Sequence, residues 1–205
     1  MKLYVADYAP NPRRVRWMMA EKRITDIEIE KLDIVAGEHK THPRILATGR
    51  ATLPVLELDD GTLLTESVAI GRYLESLYPK PNLFGRDALE VARIEMWTRR
   101  LEQSFATPLM LATRLSHPAL VALETPNPAA ADYFLEKAGD FAAFLDRTLD
   151  GRDFIAADRL TVADIAAICA LDFARIIRHR PDRDLANLGR WAKAMRERPA
   201  AQVGP

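Results

Sequence analysis

The stretch "TLPVLELDDGTLLTESVAIGRYLE", residues 52–75, holds side chains well placed to do chemistry. Pro54 opens a strand at one lip, and Glu66 and Ser67 stand together where a second strand gives way to a helix. A hydroxyl at a helix start, beside the unpaired N–H groups of the first turn, makes a site for an anion such as a carboxylate. The adjoining Glu66 carboxylate can accept from an ammonium. Ser67 also reads as an ordinary N-cap, and the two roles are compatible, because the groups exposed at a cap are those that would hold a ligand. Pro54 alone reads as the start of an edge strand.

Other reactive residues are sparser. His39 and His42 lie close together, but no third ligand accompanies them, so no metal site is expected. The single cysteine, Cys169, sits in "DIAAICALDFA" and reads as a small buried apolar side chain. One cysteine excludes an internal disulfide and any Cys-x-x-Cys motif. Asn11 followed by Pro12 has the pattern of a helix opening, with Asn as N-cap and Pro at the first helical position. Tyr8, at the end of a predicted strand, reads as core. Arg13, Arg14 and Arg16 crowd the first turn of that helix, where cations are unfavourable. They imply either an anion nearby or acids of a partner chain.

Composition narrows the class. The chain has 205 residues, 48% apolar and 28% charged, with a formal net charge of +0. These are the proportions of a globular protein, and no global field argues for nucleic acid or an anionic membrane. The basic run "RIIRHRPDR", 175–183, is interleaved by Asp172, Asp182 and Asp184 and reads as a solvated loop rather than a nucleic-acid site. No stretch approaches the ~20 apolar residues of a membrane span, and the N-terminus lacks the apolar core of a signal peptide. A reducing cytoplasm is the expectation.

These side chains must be positioned by elements of two kinds. "KLYVA" is a buried strand, followed by a helix with Val15, Met18, Met19 and Lys22 along one side. "DIEIEKLDI" alternates with a period of two and is a strand. "LPVLEL", the turn "DDGT" and "LLTE" form an antiparallel hairpin, and Val68, Ile70, Tyr73, Leu74 and Leu77 give a helical stripe. "YPKPNLFG", 78–85, reads as a linker. Beyond it the pattern is helical only: a helix through Ile94, Trp97, Leu101 and Phe105 that Pro108 should kink or end, then helices at about 130–149, 161–178 and around Leu188, Trp191 and Met195. In "LTVADI", Thr161 and Asp164 have the spacing of a capping box, with Leu160 and Ile165 as its staple. Asp164 is therefore read as structural.

The order of these segments, with Leu-Pro before the third strand and Glu-Ser after the fourth, resembles the glutathione S-transferase superfamily. The resemblance runs along essentially the whole chain: "MKLY", "NPRRVRWMMAEKRI", "GEHKTHPRIL", "LPVLELDDGTLLTESVAIGRYLESLYP" and "LTVADI" occur in family order and spacing. It implies an α/β thioredoxin-like glutathione-binding domain at 1–79, built on a mixed four-stranded sheet, and an all-α domain at 86–205. It also implies a cis bond between Leu53 and Pro54, the Leu53 backbone pairing with the cysteinyl unit of glutathione. Ser67 would hold the γ-glutamyl carboxylate, Glu66 its ammonium, and His39 with Lys40 would face the glycyl carboxylate. Glutathione would be the co-substrate, with no metal, and its thiolate would attack a small electrophile lying over Met110, Leu111 and Arg114. A homodimer through the helices at 66–77 and 88–105 is implied as well.

The residue that activates the thiol stays open. The family places a serine, cysteine or tyrosine just after the first strand. Here Ala9 occupies the serine position, Tyr8 matches the tyrosine-type position, and Asn11 matches the asparagine of a "TPNG"-like subgroup. Asn11, Tyr8, and backbone N–H groups or solvent are the alternatives. Alanine at this point also supports a non-catalytic binding or regulatory protein. A glutaredoxin-like oxidoreductase is disfavoured, since no cysteine lies near the first strand. In "ATGRATLP" the chain departs from the family, with Thr48-Gly49 and Ala51, so the path of that loop is open.

Overall fold

The computed structural model describes residues 1–121 and 123–203. Strand β1 (Lys2–Val5) runs beside β2 (Glu28–Lys31) in parallel and β3 (Val55–Glu57) in antiparallel, with Leu3 opposite both Ile29 and Leu56. β4 (Leu63–Leu64) completes a four-stranded mixed sheet in the order β2-β1-β3-β4. A parallel pair needs a long crossover, which helix α1 (Pro10–Glu21) supplies, whereas β3 and β4 need only a tight turn. That turn uses Gly61 at φ 85°, and the Asp60 carboxylate accepts the Thr62 N–H at 2.9 Å.

Between β2 and β3 the stretch read as loop contains a 3-10 turn, Glu38–Lys40, and a short helix α2 (Pro43–Leu46). The segment that departs from the family pattern follows a defined path. The Thr48 hydroxyl reaches the Ile45 and Arg50 carbonyls at 2.8 Å, and Gly49 takes φ 79°. Helix α3 (Ser67–Leu77) then lies against α1. Gly71 permits the approach, because a Cβ there would stand 2.5 Å from the Met18 sulfur.

Residues 78–85 connect α3 to the helices beyond, and they are docked rather than free. Leu83 and Phe84 are buried. The buried Lys22 ammonium donates to the carbonyls of Tyr78 and Pro81 at 2.8 and 2.7 Å and pairs with Glu75 at 2.6 Å. Glu75 in turn accepts the Leu83 N–H. A lysine on the apolar side of α1 thus has its charge satisfied from three directions.

From residue 86 onward the described residues contain no strand. Helix α4 (Ala88–Leu101) is not ended by Pro108. It passes through a π-turn at Glu102–Ala106 into α5 (Thr107–Ser116), where Pro108 is the second residue. The wider turn absorbs the donor that proline lacks. Helices α6 (Pro128–Thr148), α7 (Val162–Ala174) and α8 (Ala186–Arg196) complete the set. α7 ends earlier than its periodicity suggests, giving way to a 3-10 turn at Arg175–Ile177 and a left-handed Arg178.

α7 is buried nearly all round, including its first turn, so its opening donors cannot rely on water. Asp164 supplies what water would. Its fully buried carboxylate accepts the Thr161 N–H and hydroxyl and the Ile155 N–H at 2.9 Å, and the Trp191 indole N–H at 3.2 Å. Burial pushes the Asp164 pKa up, against the pull of these donors. Replacing Asp164 by Ala strands those donors together, so we expect a loss of at least ~3 kcal/mol in denaturant unfolding. A variant of unchanged midpoint would contradict a structural role.

Glu90 of α4 and Arg159 clamp the segment that leads into α7. Hydrogen bonding to Arg159, ahead of other causes, holds the Glu90 carboxyl down at about 2 against a usual value of 4.5. A depressed carboxylate contributes stability that is fully present above its unfolded value and lost as the pH falls towards the folded one. Thermal unfolding of Glu90→Gln should therefore show a smaller fall in melting temperature between pH 5 and pH 2 than the wild type. Parallel curves would remove the pair from the acid response.

Candidate active site

The C-terminal end of β1 and the start of α1 face α5 and the end of α7 across a cleft of about 370 Å³. Tyr8, Asn11, His39 and Leu53 line it from the sheet side, and Met110, Leu111 and Arg114 from the helical side. The structure thus gathers seven of the sequence-selected residues in one place. Lys40, Pro54, Glu66 and Ser67 are not among the lining residues.

Asn11 does not cap α1. The helix begins two residues earlier than Asn11-Pro12 suggests, at Pro10, with Ala9 as N-cap and no side-chain cap. Pro10 competes for the first helical position and wins it. Pro10 and Pro12 have no N–H, and the Arg13 N–H already bonds the Ala9 carbonyl at 3.2 Å. The first turn of α1 therefore offers one free backbone donor, that of Asn11. The Asn11 side chain is equally unspent: its Oδ1 is buried and without a partner. An amide carries donors as well as an acceptor, so this residue can present either to the cleft.

Tyr8 is not core. It is 69% exposed, at φ 61°, and its ring borders the cleft. A left-handed tyrosine is uncommon, and the turn it makes carries the chain from β1 into Ala9 and Pro10. Ala9 brings no hydroxyl or thiol.

His39 is buried in the 3-10 turn, and its Nδ1 has no partner. Burial, then the charges of Lys40 and Arg114, hold its pKa below the usual imidazole value, so the ring is neutral at neutral pH. Lys40 beside it is exposed. The Leu53–Pro54 peptide is cis, and Lys80–Pro81 is a second cis bond that the sequence reading did not include. Among the described residues the Leu53 N–H and C=O have no backbone partner. They precede β3, and Leu53 lines the cleft.

At α3 the N-cap is Glu66, not Ser67. Glu66 stands at φ 65° with its side chain exposed and uncapping, and Ser67 is the first helical residue, 6% exposed. The Ile70 N–H is the first to find an intrahelical carbonyl, that of Glu66. Three donors, from Ser67, Val68 and Ala69, are therefore left at this end, where α1 leaves one.

The three arginines of α1 find acids within their own chain rather than on a partner. Arg13 meets Asp172 at 2.8 Å, Arg14 meets Glu102 at 3.2 Å, and Arg16 meets Asp7 at 3.2 Å. These acids lie far off in sequence or behind the turn, so the unfavourable crowding is offset by pairs that helix periodicity does not reveal. Cys169 is wholly buried in α7, and burial pushes its thiol up to about 12, which makes it inert. Among the described residues no group of His, Cys, Asp or Glu could hold a metal, and no helix is long and apolar enough to cross a membrane.

Comparison with known proteins agrees with this arrangement. Residues 3–82 match the model of the glutathione S-transferase N-terminal domain and residues 108–199 that of the C-terminal domain. Glutathione S-transferase 2 of Saccharomyces cerevisiae is 32% identical over 206 residues, covering 98% of this chain and 88% of that one. The crystal structure of Gtt2 from Saccharomyces cerevisiae has a TM-score of 0.90 at 33% identity, covering 98% of this chain and 99% of its own. A glutathione S-transferase domain-containing protein from Marinobacter aquaeolei likewise has a TM-score of 0.90, at 34% identity and the same coverage. With both halves matched in order and the sheet, helices and cleft in place, the chain belongs to the glutathione S-transferase family.

Proposed function

We propose that this protein conjugates the glutathione thiolate to a small electrophile, or displaces a leaving group with it, inside the cleft between β1 and α5. The observation that carries the reading is a coincidence of unmet needs. Asn11 Oδ1 and His39 Nδ1 are each buried without a partner, and both residues line the same cleft. Buried polar atoms are seldom left so, and an extended peptide with a thiol and several charges would satisfy them. In this reading the cysteinyl unit pairs with Leu53 in the manner of an added strand. The γ-glutamyl carboxylate takes the free donors at Ser67, Glu66 receives the ammonium, and His39 with Lys40 faces the glycyl carboxylate.

The thiol must lose its proton near neutral pH, which a donor and a positive surrounding both favour. Asn11 is the donor we favour, because its side chain is not spent on a cap and its N–H is the one free donor of the turn. Tyr8 is the second choice. We place the protein in the cytoplasm as a homodimer, a reading supported by exposed Leu77 on α3 and by Leu89 and Met96 on α4. The domain division at residues 1–79 and 86–205 belongs to the same proposal.

Two measurements test this. Ser67→Ala should weaken retention on immobilised glutathione ten- to a hundred-fold, the effect of losing a charge-assisted hydrogen bond of about 1.5–3 kcal/mol. Unchanged retention would remove Ser67 from the site. At saturating glutathione, thiolate absorbance against pH should shift upward in Asn11→Ala, with less shift in Tyr8→Phe, and turnover at neutral pH should fall with it. The melting temperature of Asn11→Ala should stay near that of the wild type, because no cap is lost. A wild type in which bound glutathione titrates like the free thiol would favour a non-catalytic binding protein, for which Ala9 speaks. Equal depression in both variants would assign activation to backbone N–H groups and charge.

A further inference from the structure

The helical wall of the cleft is apolar except at Thr107 and Arg114. Met110, Leu111, Phe173 and Ile176 face the opening, and Arg114 is the one cation among the residues that line it. Its guanidinium is anchored at Nη2 by the Leu123 carbonyl and by Glu124, both at 3.3 Å, while Nε is buried without a partner. The two side chains are similarly exposed, at 40% for Arg114 and 37% for Glu124, so solvent screens the pair and it contributes little. Asp7, the acid on the sheet side, is already held by Arg16 and Lys31. The cleft therefore presents a fixed, unspent N–H donor, on a guanidinium anchored at its other edge, beside apolar side chains.

A separate basic cluster follows in the chain. Ile176 is followed by Arg178, Arg180 and Arg183, which surround a shallow hollow with Asp184. Sequence alone sets Asp172 and Asp182 against these arginines, but the fold turns both inward. Asp172 binds Arg13 and Arg196, and Asp182 binds Arg196 at 2.7 Å. Among the described residues Arg178, Arg180 and Arg183 form no ion pair.

Resting on the transferase reading above, we infer that Arg114 selects the second substrate by charge, and that the preferred electrophile is an aryl or alkyl compound bearing a carboxylate. Its anionic group would lie on the Nε edge of Arg114, its apolar body over Met110 and Leu111, and its reactive carbon towards Asn11 and the glutathione sulfur. For a nitro-activated aryl halide the thiolate adds to the chlorinated carbon, the ring and its nitro groups hold the negative charge, and the C–Cl bond then breaks. Chloride leaves with the bonding pair, and the thiol proton has already gone to solvent.

The test uses two substrates of nearly the same shape that differ chiefly in charge, 4-chloro-3,5-dinitrobenzoate and 4-chloro-3,5-dinitrobenzamide, with the intact protein, Arg114→Met and Arg114→Lys. In the wild type kcat/KM should favour the acid over the amide by about tenfold or more, after correction for their uncatalysed rates with glutathione. Arg114→Met should collapse that ratio towards one, and Arg114→Lys, a point charge without the planar fork, should restore part of it. A ratio that is the same in wild type and Arg114→Met overturns the inference. So does a rise in the glutathione KM of Arg114→Met with the ratio intact, which would make Arg114 a reader of glutathione's own carboxylate. Equilibrium binding of the chlorine-free pair, 3,5-dinitrobenzoate and its amide, asks the same question without turnover. Selective binding of the acid that Arg114→Met abolishes would support the inference even in a protein that fails as a transferase, and equal binding would sink it.

Discussion

A carboxylate taken wholly out of water fixes this structure. Asp164 gathers donors from the start of α7, from the loop at Ile155 and from Trp191 of α8, and without it none of those groups has an alternative partner. α7 is thereby pinned at its first turn, and its other end carries consequences for the site. Asp172 reaches Arg13 of α1, while Phe173 and Ile176 complete the wall of the cleft. One helix so links the stability of the helical region to the placement of the α1 N-terminus. A buried charge is tolerated because its lone pairs are occupied.

The chemistry of the site follows from scarcity of donors rather than abundance. Two prolines strip the opening turn of α1 of N–H groups, Ala9 adds none, and the arginines that follow are turned away into ion pairs with Asp172, Glu102 and Asp7. Asn11 is left as the polar residue of that turn facing the cleft. At α3 the balance is reversed, with donors free and no side chain capping them. A ligand with a thiol at one point and a carboxylate at another would meet these two helix ends differently.

Much of this was legible in the sequence, and the failures have physical causes. The hairpin was announced by Asp60-Gly61 and by alternation on both sides, and the capping box by Thr161 and Asp164 at their spacing, because both are local devices. Asn11 was misread because Pro-Asn-Pro permits two helix starts, at Pro10 and at Pro12, and a first-position proline at 10 overrode the capping preference of 11. Pro108 was expected to kink or end a helix, and the chain widened one turn instead, a solution that depends on packing from α5 and α6. The acids beside the basic run at 175–183 looked like neutralisers, yet apart from Arg175 at 3.8 Å from Asp172 their partners, Arg13 and Arg196, come from other elements. Arg114 was legible as a cleft residue, but its unpaired Nε depends on where Leu123 and Glu124 anchor it.

The account turns on whether glutathione lies across both helix ends with its sulfur at the start of α1. A crystal structure of the protein soaked with glutathione tests this directly. The account predicts the cysteinyl backbone paired with Leu53, the γ-glutamyl carboxylate at the N–H groups of Ser67 and Val68, and the sulfur within about 3.5 Å of the Asn11 side chain or N–H. Glutathione bound elsewhere, or with its sulfur turned to solvent away from Asn11 and Tyr8, would contradict it.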